Sequence, residues 1–113
     1  MMHRCIIALG SNTAAEEHFR LAHRLLDAAF PHSIEWGEMQ WTEPIDFPLN
    51  PALFLNQEGT LHSPLTAEEI RTIFKEIERA CGRRPHDKAE GIVRMDIDLL
   101  CYDDRQLKAN VLI

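Results

Sequence analysis

Two amphipathic helical patterns constrain the fold of this chain more than any other feature of its sequence. Apolar residues recur at helical spacing over residues 14–29 and again over residues 67–81. Pro31 ends the first segment, and Gly82 stands where helices commonly end in a left-handed glycine. Each stripe has to be buried against another layer of structure. The stripes consist of Phe19, Ala22, Leu26, Ala29 and Phe30, and of Ile70, Ile73, Phe74, Ile77 and Cys81.

Both helices are predicted to begin at a capping box, in which a threonine hydroxyl and a glutamate three residues later satisfy backbone N–H groups. The spacing occurs at Thr13–Glu16 and at Thr66–Glu69. The sequence therefore predicts side-chain caps at the start of both helices.

Four strand-like segments flank the helices, at residues 4–9, 34–41, 53–61 and 94–102. The alternation of the second shifts phase near Gly37, which indicates a bulge. Three prolines within residues 44–51 exclude regular pairing and predict a shaped loop, while the tail from Asp103 to Ile113 is compatible with a short edge strand. In the last long strand, Met95, Ile97, Leu99 and Cys101 are predicted to face one way and Asp96, Asp98, Leu100 and Tyr102 the other.

The resulting β-α-β-β-α-β order predicts an α+β fold, a ferredoxin-like sandwich with an antiparallel sheet and two helices on one face. The other face of the sheet is left for loops or a ligand. Residues 1–113 are expected to form a single domain, since the chain has 113 residues.

Charge and cysteine content limit the function classes. The formal net charge of −6 disfavours general binding of nucleic acid, and a phosphate-bearing ligand has to be held by local arginines or a metal. Three cysteines without metal-ligand spacing fit buried thiols in a reducing cytoplasm better than a disulfide scaffold. No apolar run reaches the roughly 18 residues of a membrane span, and no secretory signal is predicted. We expect a cytoplasmic protein.

Asp96 and Asp98 form the most suggestive pair of residues. Side chains at i and i+2 of a strand point the same way, and two adjacent carboxylates repel unless a cation lies between them. Such oxygen ligands suit Mg²⁺ carrying a nucleotide phosphate. The alternative is a solvated strand face, which composition alone favours.

Three other features allow both a functional and a purely structural interpretation. Glu78, Arg83 and Arg84 lead into a basic loop ahead of the acidic strand, where arginines can hold phosphates. Phe54 and Asn56 share a strand face and can stack on and hydrogen-bond a planar heterocycle. The alternatives are an ordinary helix–strand connection, and a core phenylalanine beside an edge asparagine. The turn Gly10-Ser11-Asn12 is weak evidence for an anion site.

Read in order, these motifs resemble the 6-hydroxymethyl-7,8-dihydropterin pyrophosphokinase family, which acts in folate biosynthesis. The resemblance covers nearly the whole chain. It rests on Ile7-Ala8-Leu9-Gly10-Ser11-Asn12, Trp41-Thr42-Glu43-Pro44, Phe54-Leu55-Asn56-Gln57, Ile77-Glu78 with Gly82-Arg83, and Gly91 followed by Asp96-Ile97-Asp98-Leu99-Leu100.

The resemblance implies transfer of diphosphate from ATP to the pterin hydroxymethyl group, with release of AMP. It implies that Asp96 and Asp98 hold two Mg²⁺ ions with ATP and that these two aspartates and Arg83 are catalytic. The implied pterin-binding residues are Thr42, Pro44, Ile45, Phe54 and Asn56, and the implied ATP-binding residues are Glu78, Arg83 and Arg84. The substrates, ATP and hydroxymethyl dihydropterin, are the expected partners.

The chain also departs from the pattern of the family it resembles. Val93 stands where the family has an arginine, and Arg94 comes one position later; Glu90 replaces a common tryptophan and Pro85 a second loop arginine. The family continues beyond the position of Ile113, which predicts a C-terminally shortened member. The alternative function is therefore a catalytically weak or inactive pterin- or nucleotide-binding or interaction domain. A homodimer through residues 105–113 or a bare sheet edge is a further expectation.

Overall fold

The structure, a computed structural model, describes residues 1–43 and 52–108. Two helices and six strands lie within these ranges, together with a 3₁₀ turn at Lys88–Glu90. In chain order the elements are β1 (His3–Ser11), α1 (Ala15–Ala29), β2 (Ile34–Trp36), β3 (Gln40–Thr42), β4 (Phe54–Ser63), α2 (Ala67–Ala80), β5 (Asp96–Tyr102) and β6 (Arg105–Gln106). The predicted loop at residues 44–51 and the end of the tail at residues 109–113 lie outside the described residues.

All the strands join one antiparallel sheet in the order β2-β4-β1-β5-β6, with β3 also paired to β4. This arrangement confirms the predicted ferredoxin-like α+β fold. The predicted second strand is divided into β2 and β3, and at Gly37, between them, the backbone N–H donates to the Glu58 carbonyl at 2.8 Å. The predicted phase shift at Gly37 is therefore an interruption of the strand.

The hydrophobic core lies between one face of the sheet and the two helices. Alternate residues of β1 point into it, among them Cys5, Ile7 and Leu9. The helices contribute the predicted stripes, except that Ala29 is exposed and Ile73 is only partly buried. Neither helix in the described part of the chain is long and apolar enough to cross a membrane.

The two helices begin differently. Thr66 caps α2 as predicted, because its hydroxyl accepts from the Glu69 N–H at 3.2 Å while the Glu69 carboxylate accepts from the Thr66 N–H at 2.9 Å. The capping box predicted at Thr13 is wrong. Residue Ala14, in the left-handed conformation, precedes α1 without a side-chain cap, and the Thr13 hydroxyl donates to Asn12 Oδ1 at 2.9 Å. At the other end of α2, Gly82 has a φ of +94°, which fits the predicted glycine stop.

The face assignment in the second half of β5 is also wrong. The pairing of β1 with β5 shifts register between Ile6 and Ile7, so that Ile7 pairs with Leu99 and Ile6 with Cys101. The irregularity at Leu100 reverses the alternation beyond it. Tyr102 consequently joins the core, where its hydroxyl donates to the Leu65 carbonyl at 2.8 Å. Asp96, Ile97, Asp98 and Leu99 precede the irregularity and keep their predicted faces.

Candidate active site

The candidate site begins with one row of residues across three neighbouring strands. Gly10 of β1 pairs with Asn56 of β4 on one side and with Asp96 of β5 on the other. Directly paired residues project from the same face of a sheet, so these side chains share the face opposite the helices. A Cβ at Gly10 would lie 3.5 Å from Asn56 Oδ1, so a larger side chain there would enter the space between Asn56 and Asp96. Gly10 thus keeps this space open.

Asp98 lies beside Asp96 on that face. It pairs with Ala8 in the next row of the same face, and the two carboxylates are 22% and 25% exposed. Burial raises the pKa of Asp98, the neighbouring Asp96 carboxylate raises it further, and Lys108 opposes both effects. The Lys108 ammonium lies 2.9 Å from Asp98 Oδ1. The strand therefore brings two partly buried acids together, as the i, i+2 spacing predicts.

Arg83 joins Asp96 to the end of α2. Its Nη1 lies 3.1 Å from Asp96 Oδ1 and 2.9 Å from Glu78 Oε1. The other oxygen of Glu78 accepts from the Ile97 N–H at 2.7 Å, which satisfies a donor at the edge of β5. Burial raises the pKa of Glu78 in spite of this hydrogen bond and the charge of Arg83. The structure thus brings Glu78, Arg83 and Asp96 together, three residues that the sequence analysis had selected.

Two cavities flank this charged group at the edge of β5. The larger, of about 370 Å³, is bounded by Asp96 and Glu78, and the smaller, of about 280 Å³, by Asp98 and Lys108. Basic side chains in the wall of the larger cavity outnumber the acidic ones, although the whole chain carries a formal charge of −6. The basic residues are Lys75, Arg79, Arg83, Arg84 and Arg94, and the acidic ones are Glu78, Asp87 and Asp96. A polyphosphate therefore meets a locally favourable field here.

The loop over residues 83–94 forms one wall of the larger cavity. Arg84 is exposed, and its backbone N–H donates to Asp87 Oδ2 at 2.9 Å. The Arg94 guanidinium donates to the same oxygen at 3.0 Å. On the β1 side, Asn12 accepts from the Val93 N–H at 2.8 Å and donates to the Gly91 carbonyl at 2.9 Å. The loop is therefore held by side chains from within it and from β1.

The predicted pterin-binding residues lie at the β3–β4 end of the same face. Asn56 donates to the Thr42 hydroxyl at 2.5 Å, so the structure brings these two residues together. Phe54 is on the same face and is fully buried, with 0% exposure. Stacking on its ring requires the atoms that cover it to move aside. Pro44 and Ile45 lie outside the described residues.

A comparison with protein-family models shows which family this chain belongs to. Residues 6–113 match the model of the 7,8-dihydro-6-hydroxymethylpterin-pyrophosphokinase family. The chain belongs to this family. A search of curated proteins found no match. The resemblance read from the sequence is confirmed at the level of the family, whose enzymes use ATP with Mg²⁺.

The residues present fit the magnesium that pyrophosphokinases of this family use. Asp96 and Asp98 offer hard oxygen ligands on one face, and Asp96 borders the cavity lined by arginines. Within residues 1–43 and 52–108, no cluster of three or more His, Cys, Asp or Glu side chains is placed to hold a metal. Mg²⁺ is commonly bound by one or two carboxylates, and water and phosphate oxygens fill its other coordination positions. The donor set thus suits an ion that arrives with a nucleotide.

Several residues of this candidate site were missed by the sequence analysis. Gly10 and Asn12 were interpreted as parts of a turn that is weak evidence for an anion site and as members of a family motif, without partners on the neighbouring strands or the loop. No partner was predicted for Asp87 or Lys108. The Asp87 carboxylate accepts from the Arg84 N–H at 2.9 Å and from Arg94 at 3.0 Å, and the Lys108 ammonium donates to Asp98 at 2.9 Å. Their partners are far away in sequence or depend on the loop conformation. Gly10 belongs to the quoted motif of β1, which is the one sequence signal that could have indicated its place in the row.

Proposed function

We propose that this chain transfers diphosphate from ATP to 6-hydroxymethyl-7,8-dihydropterin. The hydroxymethyl oxygen forms a bond to the β-phosphorus of ATP. The bond between that phosphorus and the oxygen bridging to the α-phosphorus breaks, and AMP leaves with the electron pair. The hydroxyl proton passes to solvent. The products are AMP and the pterin diphosphate.

The row formed by Asn56, Gly10 and Asp96 carries this proposal. It places an amide that can hydrogen-bond a heterocycle on the same open face as a carboxylate, with a glycine between them. The basic cavity adjoins the carboxylate end of the row. A flat bicyclic ring held at Asn56 and a triphosphate held beside Asp96 therefore meet across Gly10. This geometry favours reaction because it holds the nucleophile and the phosphorus together.

Asp96 and Asp98 are the residues that would hold Mg²⁺, in two ions. When bound, these ions supply positive charge to the phosphate oxygens as negative charge develops there. Arg83, already at the Asp96 carboxylate, contributes a guanidinium to the same oxygens. Glu78 fixes Arg83 from the helix side, and Arg84 lies on the wall that faces the nucleotide. Asp96, Asp98 and Arg83 are the proposed catalytic residues, and Glu78, Arg83 and Arg84 the ATP-binding ones.

The pterin is assigned to the other end of the row. Asn56 hydrogen-bonds the edge of the ring, and Thr42, its partner at 2.5 Å, orients the Asn56 amide. Phe54 supplies one stacking face once the atoms that cover its ring move aside. Pro44 and Ile45 complete the assigned set of pterin-binding residues.

A second candidate function is a binding domain that holds the same ligands without efficient transfer. The position of Arg94 favours it: the family arginine is replaced by Val93, and the Arg94 guanidinium is engaged by Asp87 at 3.0 Å. One guanidinium fewer at the phosphates lowers transition-state stabilisation, and a single such donor is worth roughly 10²–10³ in rate.

A nucleotide product assay tests the proposal. Purified protein is incubated with ATP, the hydroxymethyl dihydropterin and Mg²⁺, and nucleotides are separated by chromatography. We expect AMP and pterin diphosphate in equal amounts, and no AMP when the pterin or Mg²⁺ is omitted. Formation of ADP in place of AMP contradicts the proposed bond cleavage. Calorimetric binding of both ligands without AMP at high protein concentration supports the binding domain instead.

A further inference from the structure

The loop over residues 83–94 contains an ion pair with a buried carboxylate that the proposed chemistry does not use. Asp87 is 4% exposed, and its Oδ2 accepts from the Arg84 N–H at 2.9 Å and from Arg94 Nε at 3.0 Å. Burial acts to raise the pKa of Asp87, but these two donors outweigh it and hold that pKa below its usual value. Asp87 Oδ2 therefore joins Arg84, near the start of the loop, to Arg94, its last residue.

The backbone of Asp87 extends this connection. Its carbonyl accepts from the Glu90 N–H at 3.0 Å and from the Ile92 N–H at 2.9 Å. The stretch from Arg84 to Arg94 is thus closed around a single residue. Asn12 then fixes the far limb of the loop to β1 through Gly91 and Val93.

Arg83 lies immediately before this closed stretch. Its backbone N–H donates to the Glu78 carbonyl at 3.1 Å, and its guanidinium reaches Asp96. Asp96 follows Arg94 by two residues, so the Asp87–Arg94 pair connects the backbone next to Arg83 with the backbone next to Asp96. Arg83 and Asp96 are both residues that the proposed function assigns to the phosphates.

We propose that Asp87 and Arg94 form a latch that holds the loop so that Arg83 is presented to Asp96. Asp87 and Arg94 are therefore positioning residues. This inference rests on the proposed function for its consequence, because the loop then forms the wall of the nucleotide site. The latch gives Arg94 a structural role, because its guanidinium is held by Asp87 Oδ2 at 3.0 Å.

The competing assignment is that Arg94 itself binds phosphate. The two assignments predict opposite effects of Asp87→Asn. If Asp87 and Arg94 are a latch, then Asp87→Asn and Arg94→Gln both weaken nucleotide binding, and the double variant is no worse than either single one. If Arg94 binds phosphate, Arg94→Gln weakens binding whereas Asp87→Asn leaves it unchanged or tightens it, because the guanidinium is released.

Hydrogen exchange tests the latch without any ligand. In Asp87→Asn and Arg94→Gln, we expect exchange of the Arg84, Glu90 and Ile92 amides to accelerate roughly tenfold, with β1 amides unchanged. Arg79→Gln is the matched control: Arg79 lines the same cavity, and its side chain has no hydrogen bond within the described residues. Unchanged exchange at all three amides in both latch variants overturns the proposal.

Calorimetry with a non-hydrolysable ATP analogue and Mg²⁺ tests the consequence, at a temperature at which every variant is folded. We expect roughly tenfold weaker binding in each latch variant and little change in Arg24→Gln, at an exposed arginine of α1 that lines neither cavity beside β5. In an Arg83→Gln background, Asp87→Asn should have no further effect, since the latch acts through Arg83. An undiminished effect in that background contradicts the positioning role. Failure of the unmodified protein to bind the analogue overturns the proposed function instead, and the exchange measurement then decides the latch alone.

Discussion

The two faces of the central sheet differ sharply although they are made from the same strands. On β5, Ile97 and Leu99 point into the apolar core, while Asp96 and Asp98, which alternate with them, point to the candidate site. Successive side chains of a strand project to opposite faces, so a single residue step separates the two environments. The covered face provides stability, and the open face carries groups that a stable protein does not need.

The ionisable groups show the same contrast. On the covered face, burial raises the pKa of the Cys5 thiol to about 11, so this group is neutral at pH 7. On the open side, burial raises the pKa values of Asp98 and Glu78, yet both are paired with cations of the chain, Lys108 and Arg83. The core excludes charge, and the site concentrates and compensates it. Substitutions on the two faces should therefore affect different measurements.

The largest expected effect is on activity. We expect Asp98→Asn to lower the rate of AMP formation by roughly 10³ or more, because a proposed Mg²⁺ ligand is lost. Stability should stay the same or rise, since the raised pKa of Asp98 means that its ionised form is disfavoured by folding. Initial rates and thermal unfolding measure the two quantities. Asp104→Asn, at an exposed carboxylate, is the control and should change neither. Large, equal losses of activity and stability in Asp98→Asn would contradict the division between the faces.

The next prediction compares two neighbouring isoleucines of β1. Ile7 is fully buried beneath the helices, whereas Ile6 is half-buried on the opposite face. We expect Ile7→Ala to reduce the free energy of unfolding by about 3 kcal/mol, through lost burial and a residual cavity, and Ile6→Ala by clearly less. Urea unfolding measures both. Activity per folded molecule should be retained in Ile7→Ala. Equal losses in the two variants would show that the open face is packed as tightly as the core.

Most of the fold was predictable because its signals are local. The stripes of α1 and α2, the capping box at Thr66 and the stop at Gly82 are all read within a few residues. The same holds for the shared face of Asp96 and Asp98, which follows from their spacing alone. The family motifs then supplied the roles proposed for these residues.

The features that the sequence did not predict depend on distant partners. Asn12 is hydrogen-bonded to Gly91 and Val93, and its Oδ1 also accepts from the Thr13 hydroxyl, which does not cap α1. The irregularity at Leu100 comes from the pairing of β5 with β1 and reverses the face of Tyr102. The complete burial of Phe54 is likewise a property of the packed fold. Periodicity assigns faces only as far as the register is regular.

The third prediction concerns alkaline pH. The ordinary pKa of a cysteine thiol is 9.0, and in the folded chain that of Cys5 is about 11, through burial first and the charge of Asp103 second. Between these values the unfolded chain releases the proton and the folded chain keeps it. The stabilisation is therefore complete below pH 9 and is lost as pH rises through 11, by about 2–3 kcal/mol.

Unfolding free energies at pH 8 and at pH 11, for the unmodified chain and for Cys5→Ala, measure this contribution. Other groups with raised pKa values, Cys81 and Tyr102, are common to both proteins and cancel in the difference. We expect a shallower decline in Cys5→Ala. Parallel curves would mean that the covered face admits water at Cys5.

The smallest expected effect tests α2, the element that belongs to both regions. It packs Ile70, Phe74 and Ile77 into the core and directs Glu78 to the site. Thr66→Ala removes the side-chain cap and should lower the free energy of unfolding by about 1 kcal/mol. Thr72→Ala, at an exposed position within the same helix, is the matched control and should raise it slightly, because alanine has the higher helix propensity.

Neither substitution should change the rate of AMP formation at temperatures where the chain is folded. Glu78 lies at the opposite end of α2 from Thr66 and is held there by Arg83 and the Ile97 N–H. Fraying at the first turn therefore leaves its position unchanged. If Thr66→Ala lost more activity than its unfolded fraction explains, the position of Glu78 at the C-terminal end of α2 would depend on the cap at the other end. The two regions would then be coupled through the helix.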